Sequence, residues 1–490
     1  MEEKPTTQES TDDQAALGQP EVSQPNTSNQ DKPPIYKNKK LIAGVIVLLL
    51  VAAGGASYAL TRPKDKNTND SHSPTQHNTP EAKQASFEPN PIDCKPFDEN
   101  QWYRTDSTFV VDPKNPDTMY VNVEWKGFYK STDGGKTWAK KVKGIVTDSI
   151  NKDTKEPCYT EYPVAVIDPT NPNRLLLATS GGGGGTINDL NMRGGGVYES
   201  TNGGDSWKQK INDKMNGYVT HALVLDPKNP QTFYYGTAAS PASYREADPN
   251  KIWVSKGVIY KTADNGKKWD ELPTGIIKNL RLIFIAVDSQ DTNKLTASGV
   301  VMIHNANGPN GISDQQIGII QSLDGGKSWK RIDNLPKGYE ATQMGAASPK
   351  NGNNMFNIAA VVGGQQTPKS FYSTDSGHVW KQASTNLDFV AYDPRDTTGK
   401  HLVGYKWQCS DGPCSKSLLQ SHDAGATWSP FGTLPKEITS LQDQKTMPSK
   451  IVWSPNDTKT FYLTGANGYV WKTTDNGQTW ATLLSLDKLK

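Results

Sequence analysis

The residues of this chain that are best suited to bind a ligand stand in three long segments of irregular sequence. Residues 239–257 combine aromatic side chains with an arginine, which can stack on a sugar ring or anchor a protein partner; the same aromatic residues could equally cover the core of their own loop. Residues 180–196 are rich in glycine, and residues 304–316 are rich in Asn and Gly. The candidate ligand-binding residues in these segments are Tyr244, Arg245, Trp253, Asn188, Asp189, Arg193 and His304.

Catalytic chemistry has no equally clear candidates. Hydrolysis of a glycosidic bond needs two carboxylates that flank the bond, and no motif singles out such a pair, so the catalytic residues stay unassigned. The glycine-rich segment lacks the GxxxxGK[ST] pattern of a phosphate-binding loop. The acidic residues between positions 148 and 161 lack the DxDxDG pattern of a calcium loop. We therefore predict no cofactor and no metal site.

The four cysteines of the chain predict disulfides. Cys409 and Cys414 bracket four residues in CSDGPC, where a disulfide across a hairpin would fit. Cys94 and Cys158 remain, and their disulfide would clip the segment before the first repeat to the loop that follows it. Four cysteines allow three connectivities, so the pairing stays open. Disulfides are typical of an oxidising compartment.

A phrase of eight residues, Ser/Thr-x-Asp-x-Gly-x-x-Trp, occurs seven times with one departure and organises the chain. Its acidic position is occupied by Asp133, Asn202, Asp264, Asp324, Asp375, Asp423 and Asp475. The carboxylate can accept backbone N–H groups of its own turn, glycine supplies a positive φ, and tryptophan suits a wedge between packed sheets. The phrase holds no nucleophile paired with a base, so we interpret it as structural.

A second repeat precedes each phrase. The sequence Asp-Pro-x-Asn-Pro, clear at Asp112, Asp168 and Asp226 and altered in the other copies, lies between two β-rich runs. Because Pro and Asn are turn formers, one unit reads strand A, turn, strand B, loop, strand C, phrase, strand D. Seven such units predict an all-β fold, a single seven-bladed β-propeller.

On these two repeats the chain resembles the Asp-box, or bacterial neuraminidase repeat, β-propellers, and it looks most like their sortilin-type and photosystem-assembly-type branches. The resemblance covers about residues 106–484. It implies the fold but selects no function, because sialidases, xyloglucanases, sorting receptors and assembly factors share the motif. The Arg-Ile-Pro motif of sialidases is absent. Xyloglucanases resemble two such propellers that face each other, whereas the repeats of this chain form one propeller.

The ends of the chain predict a membrane protein. Residues 1–40 have the composition of a disordered tail. Residues 41–60 are uncharged and long enough to span a bilayer as one helix. Residues 61–92 read as a flexible linker, and residues 93–490 as the propeller. We expect the tail in the cytoplasm and the propeller outside the cell membrane.

Loop lengths indicate where a ligand would bind. In a propeller the A–B and C–D turns share one face, and the B–C and D–A loops share the other. Both repeated motifs fall on the first face. The distance from turn to phrase varies from 21 residues (Asp112 to Asp133) to 38 residues (Asp226 to Asp264), and the extra residues lie in B–C loops. Binding usually occurs in loops on a rigid scaffold, so we expect the ligand on the B–C/D–A face.

The expected function is therefore a non-catalytic binding or scaffold module for a protein or a cell-surface glycan. Two alternatives stay open: a glycoside hydrolase of xyloglucanase-like or sialidase-like type, and an assembly factor of a membrane or envelope complex. The net charge is +2, with charges of both signs interspersed. Nucleic-acid binding would need a basic stripe, so it is not expected.

Overall fold

The computed structural model describes most of the repeat region, within a compact unit at Ala85–Lys490. The described residues are 90–92, 108–123, 126–146, 149–159, 164–180, 195–210, 222–237, 258–274, 280–304, 312–332, 334–337, 339–361, 369–408, 415–438, 448–465, 469–485 and 489.

Seven four-stranded antiparallel sheets follow one another along the chain. Sheets one to three contain β2 (Phe109–Val111), β3 (Met119–Val123), β4 (Gly127–Ser131) and β5 (Ala139–Lys140); β7 (Val164–Ile167), β8 (Leu175–Ser180), β9 (Gly195–Ser200) and β10 (Lys208–Gln209); and β11 (Ala222–Leu225), β12 (Phe233–Gly236), β13 (Ile259–Thr262) and β14 (Asp270–Leu272). Sheets four and five contain β15 (Leu280–Val287), β16 (Leu295–His304), β17 (Ile312–Ser322) and β18 (Lys330–Arg331); and β19 (Tyr339–Ala347), β20 (Met355–Val361), β21 (Lys369–Ser373) and β22 (Lys381–Gln382). Sheets six and seven contain β23 (Phe389–Tyr392), β24 (Leu402–Gln408), β25 (Ser415–Ser421) and β26 (Ser429–Gly432); and β27 (Pro448–Trp453), β28 (Phe461–Gly465), β29 (Val470–Thr473) and β30 (Ala481–Leu484).

Within each sheet the strands pair in chain order, as A, B, C and D. The sheets form a closed ring, because β2 contacts both β7 of the next sheet and β27 of the last one. At this closure Phe109 packs against Tyr462, with ring centroids 5.1 Å apart. Apolar residues of the first and last sheets share one core cluster, so plain packing closes the ring.

Burial follows the position of each strand within its sheet. All five residues of β3 are buried, because a sheet that packs between two neighbours is covered on both faces. Both residues of β5, the last strand of the same sheet, are exposed. The core therefore lies between successive sheets, and the D strands form the rim.

The fold class requires a correction. The described residues are all-β and contain no helix long and apolar enough to cross a membrane. Their strands are interrupted every few residues by turn sequences, so no long apolar run occurs among them. The combination of propeller and transmembrane helix is therefore wrong for the described chain; residues 41–60, where we predicted the helix, lie outside it.

The first residue of each phrase stabilises the turn through hydrogen bonds of its hydroxyl. The Ser131 hydroxyl donates to Asp133 Oδ1 at 2.8 Å and accepts from the backbone N of Gly135 at 2.9 Å. Asp133 Oδ1 also accepts from the N of Thr137 at 2.9 Å. The other six copies repeat all three hydrogen bonds. Asn202 preserves them, so the one departure from Asp leaves the turn intact.

The two repeated motifs are hydrogen-bonded to each other. In sheet one the N of Gly134 donates to Asp117 O at 3.0 Å, and in sheet two the N of Gly203 donates to Asn173 O at 2.8 Å. The remaining five sheets make the same bond between the phrase and the A–B turn. Both motifs therefore lie on one face, and the B–C and D–A loops lie on the other.

Candidate functional site

The predicted ligand-binding residues fall mostly outside the described part of the chain. Tyr244, Arg245 and Trp253 lie there, as do Asn188, Asp189 and Arg193. His304 is the last residue of β16, opposite Ile312 and next to a β-bulge at Ile303. The strands β16 and β17 extend further toward the B–C side than those of sheets one to three. They bring the backbone of His304 to the predicted binding face.

The best described part of the B–C/D–A face is the loop after sheet one. Within it β6 (Ser149–Asn151) pairs in parallel with β1 (Asn90–Ile92), the segment that precedes sheet one. Asn151 then begins a tight turn, because its Oδ1 accepts from the backbone N of both Asp153 and Thr154 at 2.9 Å. The loop is thus held by regular hydrogen bonds on two sides.

Tyr159 fixes this loop to sheet one. Its ring lies 5.0 Å from Lys140 Nζ, a cation–π contact. A Cβ on Gly127 would lie 3.1 Å from Cδ2 of the same ring, and Gly127 has a φ of 103°, so only glycine suits this close approach. Burial raises the pKa of Tyr159, helped by the Glu156 carboxylate, and burial lowers the pKa of Lys140. The site offers an amine, a phenol and an exposed carboxylate for hydrogen bonds.

Cys158 is fully buried beside Tyr159 and forms a disulfide. The segment before sheet one and this loop are joined through β1 and β6, which is the connection that we expected a Cys94–Cys158 bond to make. Cys94, Cys409 and Cys414 lie outside the described residues, so the pairing stays a prediction.

Carboxylates on the opposite face act as structural acceptors. The hydroxyl and backbone N of Ser328 help to lower the pKa of Asp324 to about 2, and Thr479 does the same for Asp475, also to about 2. Among the described residues, each carboxyl group with a resolved pKa shift is shifted downward. These groups are held ionised, unlike the raised-pKa acid of a glycosidase.

Side chains that precede the B strands link neighbouring sheets. Arg174, buried between sheets two and three, donates to Asp168 at 2.9 Å and to Glu199 at 2.8 Å. It also reaches Asn265 Oδ1 in the next sheet at 2.7 Å. Burial opposes ionisation of Glu199, but the bonds from Lys210 and Arg174 outweigh it and lower the pKa of Glu199. This face therefore stabilises the ring.

Sequence reasoning missed two of these contributions. It attributed the formation of the turn to Asp, Gly and Trp. It gave no role to the hydroxyl of the first residue of the phrase, although Ser or Thr recurs there in all seven copies. It also overlooked the position before each B strand, where residue types vary too much to form a motif.

A family model for the BNR/Asp-box repeat matches residues 129–140, the end of β4, the first phrase and β5. The other six copies share its hydrogen bonds. The chain therefore carries the Asp-box repeat on a β-propeller fold.

The propeller is similar in sequence to curated xyloglucanases. It is 23% identical to a xyloglucanase of a Paenibacillus species over 242 residues, which is 47% of this chain and 21% of that protein. It is also 23% identical to xyloglucanase Xgh74A of Acetivibrio thermocellus over 238 residues, 47% of this chain and 26% of that protein. The chain thus spans about a quarter or less of these relatives.

Among solved structures, the propeller resembles the GH74 xyloglucanase of Xanthomonas campestris. The TM-score is 0.51 at 14% identity, covering 77% of this chain and 54% of that one. At this identity the likeness supports the fold. It covers about half of the larger xyloglucanase chain.

Proposed function

We propose that this Asp-box propeller is a polysaccharide-binding module that uses its B–C/D–A face. The observation that carries the proposal is that the two faces of the propeller have different roles. The A–B and C–D turns are hydrogen-bonded to each other in all seven sheets, so the residues of these turns stabilise the fold. The B–C and D–A connections, in which the sequence places the long and varied loops, leave the opposite face, where a rigid scaffold usually presents its binding residues.

The sequence similarity to xyloglucanases supports a glycan as the ligand rather than a protein. Those relatives are named for a polysaccharide substrate and match about half of this chain. Aromatic side chains on the loops fit this ligand, because sugar rings stack on them. Tyr244 and Trp253 are our first choice for that contact, and Arg245, Asn188, Asp189, Arg193 and His304 would add polar contacts.

Binding can be measured with the full chain against soluble polysaccharides, including xyloglucan, by affinity electrophoresis and calorimetry. Trp253→Ala and Tyr244→Ala should each weaken binding by about tenfold, in line with about 1–3 kcal/mol for a lost stacking residue. Leu323→Ala is the matched control, because Leu323 is 61% exposed on the opposite face. If no polysaccharide binds, or if the loop variants bind like the control, the proposal fails.

A glycoside hydrolase is the second candidate, favoured by the same similarity. It requires two carboxylates on the B–C/D–A face, one of them protonated near neutral pH. Release of reducing ends from xyloglucan by the full chain, at a rate proportional to enzyme concentration, would establish hydrolysis. Binding without release would leave the module non-catalytic.

We further propose that residues 41–60 anchor the propeller to the cell membrane, with its binding face outside. The basis is the sequence alone, twenty uncharged residues of mostly apolar type. Fractionation of cells, followed by protease treatment of intact cells, tests both parts. Recovery of the chain in the soluble fraction would contradict the anchor, and protection from protease would contradict the orientation.

A further inference from the structure

The junction between the last and the first sheet lacks the connection that every other junction has. The seven sheets follow one another along the chain, so a D–A connection joins each of the first six sheets to the next one. Sheet one precedes all the others, so the chain cannot pass from sheet seven into it. A short connection keeps two packed elements at a high effective concentration. The junction of sheets seven and one, the seam of the ring, depends on packing instead.

Several D–A connections place an apolar side chain between the two sheets that they join. Ile145 stands five residues after Lys140, the end of β5, and packs against the core cluster of sheets one and two. Leu387 stands five residues after Gln382, the end of β22, and is 3% exposed in a cluster with residues of sheets five and six. The connection between sheets six and seven buries Leu434 in the same way. A D–A connection thus fills its junction as well as joining the sheets.

Leu489 stands at the same offset after the last D strand. It follows Leu484, the end of β30, by five residues, and it is 9% exposed. Its core cluster contains Val121 of sheet one and Tyr462 of sheet seven. The Leu489 carbonyl accepts a hydrogen bond from Lys126 Nζ at 3.2 Å. Leu489 therefore packs at the seam as Ile145 and Leu387 pack at their junctions, although no chain continues from it into sheet one.

Lys126 connects Leu489 to sheet one. It lies between the end of β3 at Val123 and the start of β4 at Gly127, on the B–C side of the sheet. Its backbone N donates to Val123 O at 3.0 Å, which fixes its position relative to β3. A hydrogen bond from a charged donor is stronger than one between neutral groups. The bond from Lys126 Nζ to Leu489 O therefore links the chain beyond sheet seven to sheet one.

We propose that Leu489 is a latch that closes the ring in place of the missing D–A connection. Its side chain packs in the cluster shared by sheets seven and one, and Lys126 holds its carbonyl. Because no connection joins these two sheets, loss of the latch lets the seam open while the other six junctions stay joined. Parts of a protein can open locally at a lower free energy than the whole fold. The latch therefore sets how readily sheets one and seven separate.

Hydrogen exchange of the folded full chain, measured by mass spectrometry of its peptides, tests the latch. Leu489→Ala should speed exchange in β2, β3, β27 and β28 by at least about 30-fold, which corresponds to the smallest loss usual for truncation of a buried leucine. Exchange in sheets three to five should stay close to that of the wild-type chain. Leu489→Val should give a smaller change in the same strands, and it replaces the alanine variant if that chain does not fold.

Leu387→Ala is the matched control, because it truncates the same residue type at the same offset in a junction whose sheets stay connected. It should speed exchange at its own junction less than Leu489→Ala does at the seam. Lys126→Met should speed exchange in the same strands as Leu489→Ala, whereas Lys126→Arg keeps a donor and should retain the protection of the wild-type chain. If Leu489→Ala leaves exchange at the seam unchanged, or raises it no more than Leu387→Ala does at its junction, the proposal is overturned.

Discussion

At the scale of single residues, the hydroxyl that opens each Asp box takes part in the hydrogen bonds of the turn together with the carboxylate. Ser322 is 1% exposed, donates to Asp324 and accepts from the backbone N of Gly326. Its loss leaves a buried N–H without a partner, which costs about 1–3 kcal/mol. We expect Ser322→Ala to lower the free energy of unfolding by this amount in a denaturant titration. Ser322→Thr should be close to wild type, because Thr262 and Thr473 make the same bonds.

Two adjacent glycines of the same box allow the energetic cost of a positive φ to be distinguished from the cost of overpacking. A Cβ on Gly325 would meet its nearest atoms at 3.4 and 3.5 Å, whereas a Cβ on Gly326 would lie 2.5 Å from Leu272 Cδ1. Both have positive φ, so Ala costs about 1–2 kcal/mol at either position. We expect Gly326→Ala to lose roughly 1–3 kcal/mol more from overpacking. Equal losses in thermal unfolding of the two variants would contradict this account.

Sequence reasoning at this scale succeeded where residues act inside one turn. The Asp-Pro and Asp-x-Gly sequences form hydrogen bonds between residues that are a few positions apart, so their repetition predicted the turns. It failed where a side chain acts across sheets, as Arg174 and Lys294 do, because their partners are 56–91 residues away. The candidate ligand-binding residues share this limitation, since their placement depends on long loops rather than on turn chemistry.

At the scale of elements, the junction between sheets two and three depends on a buried cation. Arg174→Met would leave the Asp168 and Glu199 carboxylates buried without their shared partner. Breaking a buried ion pair in this way costs about 3–5 kcal/mol. Lys268 and Asp270 form an exposed pair, with side chains 78% and 63% exposed, so Lys268→Met should change stability by less than about 1 kcal/mol. Chemical denaturation of both variants measures the difference, and similar values would show that Arg174 is not a stabilising link.

The elements themselves were predictable to different degrees. The order A, B, C, D in each sheet follows from turn signals between β-rich runs, and the structure has that order. The pairing of β1 with β6 was not predictable as a strand pair, because each is three residues long and lacks a period. Only the expectation that Cys94 and Cys158 meet pointed to this connection.

At the scale of the whole molecule, one face holds the ring together and the other is free to vary. Bonds between boxes and A–B turns recur in all seven sheets, so a change in any B–C loop leaves them untouched. The scaffold therefore tolerates loops of very different length, such as those that carry the candidate residues. This explains how one fold hosts many functions and why the repeats alone predict no ligand.

The hydrogen bonds to the Asp carboxylates within the boxes make the stability of the whole ring sensitive to acid. The folded pKa values of Asp324 and Asp475, about 2, lie below the ordinary value of 3.8. Such groups contribute stability above the unfolded pKa, and the contribution is lost as pH falls through the folded value. The unfolding temperature should thus vary little with these groups above about pH 5 and fall between about pH 4 and 2. Asn202 makes the same bonds without titrating, so Asp475→Asn should remain folded at pH 7 and lose less stability than wild type in acid. An unchanged acid dependence in that variant would show that the boxes do not control acid unfolding.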